Sequence, residues 1–383
     1  MAATEKPDGA LGALMRAALA LPILALAPRA GAAVVGEVGA SVLGYKERGL
    51  MKATEPILFG HAVIDDVWEV EASAVGDILT GASPQLVTNV NGQPMQVLTG
   101  ASVYERRHAG DAKVGRRFGE LTLSASAAVS NEHDYHSKAG GLEARRDFND
   151  KNTTLTLGYG RANDHVGSSI DPNLDAPRTT DQYLAGVTQV LSPVALVQSS
   201  LAYANGRGWY NDPYKFTLTF YPDQPLPSLL PDLRPDHRRS WAWLTRYRRH
   251  FAAQRGTLQA DYRYFQDDWG VRAHTLEVAW DQQLDERWSV RPALRYYTQS
   301  AADFYSPVIP RPAPRFQSSD QRLAAFGGLS PSLRATLRLD SVIVEGAVGY
   351  VHDASSLRLG GSGTSAFETL RAVYGILSVT YPF

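Results

Sequence analysis

The 383-residue sequence contains no cysteine at all. That absence excludes a disulfide scaffold, a thiolate metal site, a cysteine nucleophile and a lipidated cysteine anchor. An excess of charge is missing too, since 38 Lys and Arg stand against 39 Asp and Glu. General nucleic-acid binding needs a basic surplus to displace counterions, so it is excluded. Disorder is excluded by the opposite measure, because 44% of the residues are hydrophobic and 10% aromatic. After residue 33 no apolar run approaches the roughly 18 residues of a membrane-spanning helix.

One short apolar run does stand at the N-terminus, from Ala17 to Ala27, with Arg16 before it and Ala30-Gly31-Ala32 behind it. A basic flank, a short apolar core and small residues at a cleavage site make a secretory signal peptide. Residues 1–32 are expected to be that leader, with Met15 as an alternative start because Glu5 and Asp8 are foreign to such a flank.

Beyond the leader the dominant pattern has period two. Leu121, Leu123, Ala125, Ala127 and Val129 alternate with Thr122, Ser124, Ser126 and Ala128, and Leu258, Ala260, Tyr262 and Tyr264 alternate with Thr257, Gln259, Asp261 and Arg263. Alternation at this period puts one set of side chains on each face of a strand. The carboxylates and guanidinium groups repeatedly share the face that is not apolar, as in a barrel with a wet lumen and a greasy exterior. Short breaks such as Gly119-Glu120, Ser192-Pro193 and Asp285-Glu286-Arg287 alternate with long ones near 78–102, 164–179, 206–239, 302–319 and 353–365. Tight turns at one end and long loops at the other characterise outer-membrane barrels. Trp241, Trp243, Tyr262, Tyr264, Trp280, Trp288 and Tyr296 fall towards strand ends on the apolar face, where interfacial girdles belong. The chain finishes on Leu377, Val379, Tyr381 and Phe383, an alternating strand with a terminal aromatic, which resembles the signal read by the outer-membrane barrel assembly machinery.

These patterns predict an all-β protein, a single transmembrane antiparallel β-barrel of about fourteen strands over 66–383. Twelve or sixteen strands fit the same pattern with small changes of boundary. Residues 33–65 precede the first such strand and carry Lys46, Glu47, Arg48, Lys52 and Glu55. They are expected as a lumen plug or a periplasmic docking arm, with a disordered lead-in as the other reading.

Four stretches carry a family resemblance: Gly44 to Pro56, Gly81 to Pro84, Asn131 to Lys138 and Ser318 to Gly327. Together they resemble the DUF3570 family of uncharacterised proteobacterial proteins. The resemblance implies an outer-membrane barrel with no settled activity. It also implies, through genes that commonly neighbour the family, partners such as a small lipoprotein and a periplasmic thioredoxin-like or flavin-carrying protein, and hence a place in extracytosolic electron transfer.

Candidate sites follow from the non-apolar face. Glu69, Glu71, Asp261, Arg263, Glu277, Arg291 and Arg295 share the polar register, joined by Arg246 and Arg248. Opposed charges across a lumen select small polar solutes, or form ion-pair ladders that brace the wall; both readings fit. His133-Asp134-Tyr135-His136 is the one close His/Asp cluster, a metal site only if the chain turns there, since positions i and i+3 of a strand face opposite ways. Asp171, Asp175 and Asp181 lack calcium-loop spacing. Asp236, His237 and Ser240 are the best candidates for an outer-membrane lipid hydrolase or protease, although Arg238-Arg239 beside them suit the phosphates of lipopolysaccharide. No pattern calls for a cofactor. The expected function is a small-solute pore or the scaffold of a redox or transport assembly, with an enzyme as the alternative.

Overall fold

The computed structural model describes residues 33–81, 84–90, 93–98, 103–221, 227–310 and 312–383. The expected leader, 1–32, lies outside them. No described helix is long and apolar enough to cross a membrane, and the helices among the described residues are three single 3-10 turns.

The described residues form twenty strands. In chain order they are β1 (Val34–Glu47), β2 (Met51–Ile64), β3 (Trp68–Gly81), β4 (Pro84–Val90), β5 (Gln93–Leu98), β6 (Val103–Phe118), β7 (Leu121–Asn131), β8 (Tyr135–Phe148), β9 (Thr153–Val166) and β10 (Ala176–Ser192). The second half comprises β11 (Ala195–Gly208), β12 (Phe216–Thr219), β13 (Ser228–Pro231), β14 (His237–Phe251), β15 (Gly256–Asp267), β16 (Arg272–Gln283), β17 (Trp288–Gln299), β18 (Phe326–Arg338), β19 (Ile343–Ala354) and β20 (Leu370–Pro382). Sixteen of them close into one antiparallel barrel, in which β1 pairs with β20; β4-β5 and β12-β13 are hairpins in the loops.

The barrel therefore has sixteen strands instead of fourteen, and the two additional ones are β1 and β2. The segment expected as an arm or plug, 33–65, is wall. Its outward face is interrupted by Gly36, Gly44, Lys46 and Lys52, and Pro56 sits inside β2, so neither strand shows a clean alternation. Register supplies what the local pattern lacks. Val38, Ala40 and Val42 lie opposite Tyr381, Val379 and Leu377, which completes the apolar exterior across the seam. The terminal Phe383 exchanges both backbone hydrogen bonds with Gly36 at 2.8 Å, and the four residues of the expected assembly signal all face outward there.

At the end that carries both strand termini the connections are tight. Gly119 adopts φ 63° in the two-residue link from β6 to β7, and Asp65, Asp66, Asn149 and Asp150 take the left-handed conformation that Asp and Asn tolerate best. This is the periplasmic end of such a barrel. The opposite, extracellular end carries the long loops.

Outward positions are apolar and open to the surroundings, as with Leu157 at 63% and Leu377 at 59% exposure. A soluble protein would bury such a band; lipid solvates it. The seven expected girdle aromatics all occupy outward positions in the register. Sequence pattern missed a second group at the periplasmic rim. There Arg116 lies over Trp68 and Phe118, Arg146 over Phe148 and Arg249 over Phe251, at 4.9 to 5.1 Å from the ring centres. Rings held at the interface with a guanidinium reaching towards headgroups anchor a barrel at its membrane depth.

Candidate functional site

Inward positions are identified by contacts that only a concave wall permits. Arg145 of β8 donates to Glu69 of β3 at 3.0 Å, past β6 and β7, and Lys113 of β6 reaches Glu143 of β8 at 3.0 Å past β7. From these anchors the cross-strand pairs carry the inward parity round the ring: Glu71 opposite Lys113, Arg246 opposite Asp261, Asp261 opposite Glu277, Glu277 opposite Arg295, and Arg291 opposite Arg334. All nine residues expected to line the lumen stand on that face.

Their charges are divided by side. On β1, β2, β3 and β6 the inward face carries Glu47, Glu55, Glu69, Glu71, Asp77 and Asp111, against Arg107, Lys113 and Arg117. On β14 to β18 it carries Arg246, Arg248, Arg263, Arg291, Arg295 and Arg334, against Asp261, Glu277 and Asp281. β3 and β15 stand half a circuit apart in the closed order, so the acidic sector faces the basic one.

Much of the basic side is paired internally. Arg248 donates to Asp261 at 3.0 Å, Arg246 lies 3.6 Å from the same carboxylate, and Arg291 donates to Gln259 at 3.0 Å while standing 3.8 Å from Asp281. Arg263 and Arg295 differ: each lies over a ring, Phe265 and Tyr297, and among the described residues neither has a carboxylate within ion-pair range. Two lumenal cations therefore keep their field for something else.

Between the charged sectors the wall is made of small side chains. Ser126, Gly141, Gly160, Ala202 and Ala242 face inward on β7, β8, β9, β11 and β14. Because these residues project so little, a cavity of about 680 Å³ remains beside them, reaching Glu71, Asp111 and Glu143 at one edge and Arg263 at the other. No single strand reveals this sector, since small polar residues on an inward face look unremarkable until five strands align.

Two long loops fold over part of the extracellular mouth. Their described parts, 209–221 and 227–236 of one and 300–310 and 312–325 of the other, join through paired backbone bonds between Leu233 and Gln317, at 2.9 and 2.7 Å, and through Ile309 donating to Leu218 at 2.7 Å. Trp269, only 2% exposed, packs with Tyr210 and Phe304 beneath them, and Arg238 stacks on its ring at 4.4 Å. Inside the cap Asp320 receives Arg234 at 3.0 Å and Arg322 at 2.8 Å, while Arg234 also donates to Asp232 at 2.6 Å and Arg322 to Asp212 at 2.6 Å. Burial alone raises a carboxyl, but the Arg322 and Arg234 guanidinium groups and the Lys215 ammonium outweigh it and hold Asp320 far below the usual carboxylate range. For Asp232 burial wins, and its carboxyl is pushed up.

The other sequence candidates separate. His136 faces outward and meets Asn131 at 3.2 Å, whereas Asp134 joins Glu105 and Glu132 with carboxylate oxygens within 4.8 Å of one another; the two histidines do not converge. Asp171 caps a turn, Asp175 meets His165 at 3.1 Å and Asp181 meets Arg161 at 3.4 Å, so they form no common site. Ser240 points into the lumen while His237 points outward to Asp236 and Asp268, which dissolves the candidate triad. Arg238 faces inward and is held by Asp267 at 2.6 Å; only Arg239 is on the outside, paired with Asp268 at 3.2 Å.

Among solved structures the fold is similar to CdiB from Acinetobacter baumannii, at 8% identity and a TM-score of 0.53, over 90% of this chain and 60% of that one. The chain thus spans under two thirds of that protein's length. Others include a bacterial polysaccharide outer membrane secretin (10% identity, TM-score 0.49, 91% of this chain and 98% of that one) and OccK8 (OprE) of Pseudomonas aeruginosa (9%, 0.43, 92% and 99%). At these identities the likeness is one of fold. No match is found among curated protein sequences. The family model described as a protein of unknown function, DUF3570, matches residues 11–177 and 168–372, and the chain with its sixteen-stranded outer-membrane-type barrel belongs to that family.

Proposed function

We propose that the protein is a passive outer-membrane pore for small polar solutes, selective by charge. The observation that carries this reading is the retained cavity of about 680 Å³ along the small-residue sector, with Glu71, Asp111 and Glu143 around a single Lys113 at one edge and Arg263, which has no carboxylate in ion-pair range, at the other. A transverse field of this kind orients a dipolar solute and discriminates by charge without a tight binding site. The other reading, a scaffold for a periplasmic carrier, draws on the family resemblance and would dock through an arm at 33–65; those residues are the wall strands β1 and β2, which takes away the arm and leaves the resemblance. Reconstitution into planar bilayers tests the pore: discrete conductance steps support it, and a folded barrel that never conducts overturns it.

A further inference from the structure

The outer wall carries a feature that the pore does not use. An apolar groove of about 830 Å³ crosses the exterior of β18, β19, β20 and β1 at the seam. Its floor is the cross-strand pair Gly44 and Gly375, and its sides are Val373 and Tyr350 on one row, Val348 and Leu333 on the next. Packing does not demand the two glycines. A Cβ at Gly44 would meet nothing within 4 Å, and one at Gly375 only a carbonyl oxygen at 3.8 Å.

The groove slopes. Lys46 is the penultimate residue of β1, whereas Val373 and Tyr350 lie three and four residues inside the extracellular ends of β20 and β19. One end is therefore at the extracellular rim and the other descends into the apolar band. At the rim end Lys46 stands directly opposite Lys52, both exposed and outward, and among the described residues no carboxylate pairs with either. Arg371 faces outward on the next row, opposite His352. Like charges placed side by side on a strand pair repel unless an anion lies between them.

We infer that this groove binds one phosphorylated glycolipid of the outer leaflet, with an acyl chain along the Gly44-Gly375 floor and a phosphate between Lys46 and Lys52. Cations at the surface attract an anionic headgroup, and the groove gives its tail a fixed path.

The test is native mass spectrometry of the intact barrel released from detergent after mixing with bisphosphorylated lipid A, with dephosphorylated lipid A or with phosphatidylglycerol. Wild type should retain the bisphosphorylated form preferentially. Lys46→Gln and Lys52→Gln should each weaken retention about fivefold. Gly44→Leu, whose Cβ meets nothing within 4 Å and whose branched end stands on the groove floor, should abolish it, and heat-modifiable migration on gels shows that each variant is folded. Equal retention of the dephosphorylated lipid or of phosphatidylglycerol, unchanged retention in all three variants, or a dimer that Gly44→Leu disperses would each overturn the proposal. Conductance is expected to be unaltered in these variants, which separates this site from the pore.

Discussion

Arg145 on β8 and Glu69 on β3 meet at 3.0 Å across the interior of the barrel, with two strands between them. The pair is partly solvated, so its loss costs below about 1 kcal/mol. Its removal changes the lumen's charge more than its stability. Glu69→Gln is expected to leave the barrel folded and to shift reversal potentials in a salt gradient towards anions; a shift towards cations would count against an acidic sector.

Among the described residues of the basic sector named above, Arg263 and Arg295 are without a carboxylate in ion-pair range, and each lies over a ring. Arg263→Glu is expected to move permeability towards cations severalfold, because it reverses the field at the edge of the cavity. Replacing Arg248, already held by Asp261, should move it much less. Equal effects of the two, measured as reversal potentials, would remove the distinction between paired and unpaired arginines.

The sixteen strands were legible to different degrees. Fourteen announce themselves by alternation, because one side of each faces lipid and tolerates little but apolar residues, as in Leu121 to Val129. β1 and β2 do not, since Gly36, Gly44, Lys46 and Pro56 break the period and only pairing with β20 and β3 reveals the register. The nine lumenal residues were legible for the same reason as the strands: parity along a strand is enough to choose a face. The cap was not legible. Its Asp212 and Arg322 are 110 residues apart in the chain, and no local pattern records a contact of that separation. The stretches Gly44 to Pro56, Asn131 to Lys138 and Ser318 to Gly327, singled out by family resemblance, all lie at the extracellular end, in the β1-β2 turn, the β7-β8 turn and the cap.

Asp320 centres the buried network of that cap. Asp320→Asn removes one of the two carboxylates that hold Arg234 and one of the two that hold Arg322, and losing such charge-assisted bonds typically costs about 2 kcal/mol. Limited proteolysis should then cut 209–236 and 300–325 while the barrel keeps its heat-modifiable migration. Loops as resistant as those of the wild type would show that the network does not hold the cap.

Glu132 lies in the extracellular turn between β7 and β8, and its carboxyl is pushed up by burial and by Glu105 and Asp134, against the opposing Arg107. A carboxyl raised above its unfolded value destabilises the folded turn when ionised. That cost is relieved as the pH falls through the raised value, so stability of the turn rises with acidification in that window. Hydrogen exchange of 130–136, corrected for its intrinsic pH dependence, should show greater protection at mildly acid pH. Glu132→Gln should be protected at neutral pH with little further change, and an unaltered pH profile in this variant would assign the effect elsewhere.

Gly160 is the most direct test of an open path along the small-residue sector. A Cβ there meets nothing closer than a carbonyl oxygen at 3.6 Å, and Gly160 lines the cavity, so a bulky side chain at this position is expected to occupy it. The measurement is single-channel conductance of wild type and of Gly160→Trp in planar bilayers. A pore along this wall gives discrete conductance in the wild type and a strongly reduced step in the variant; a silent wild type, or equal conductance in both, contradicts it.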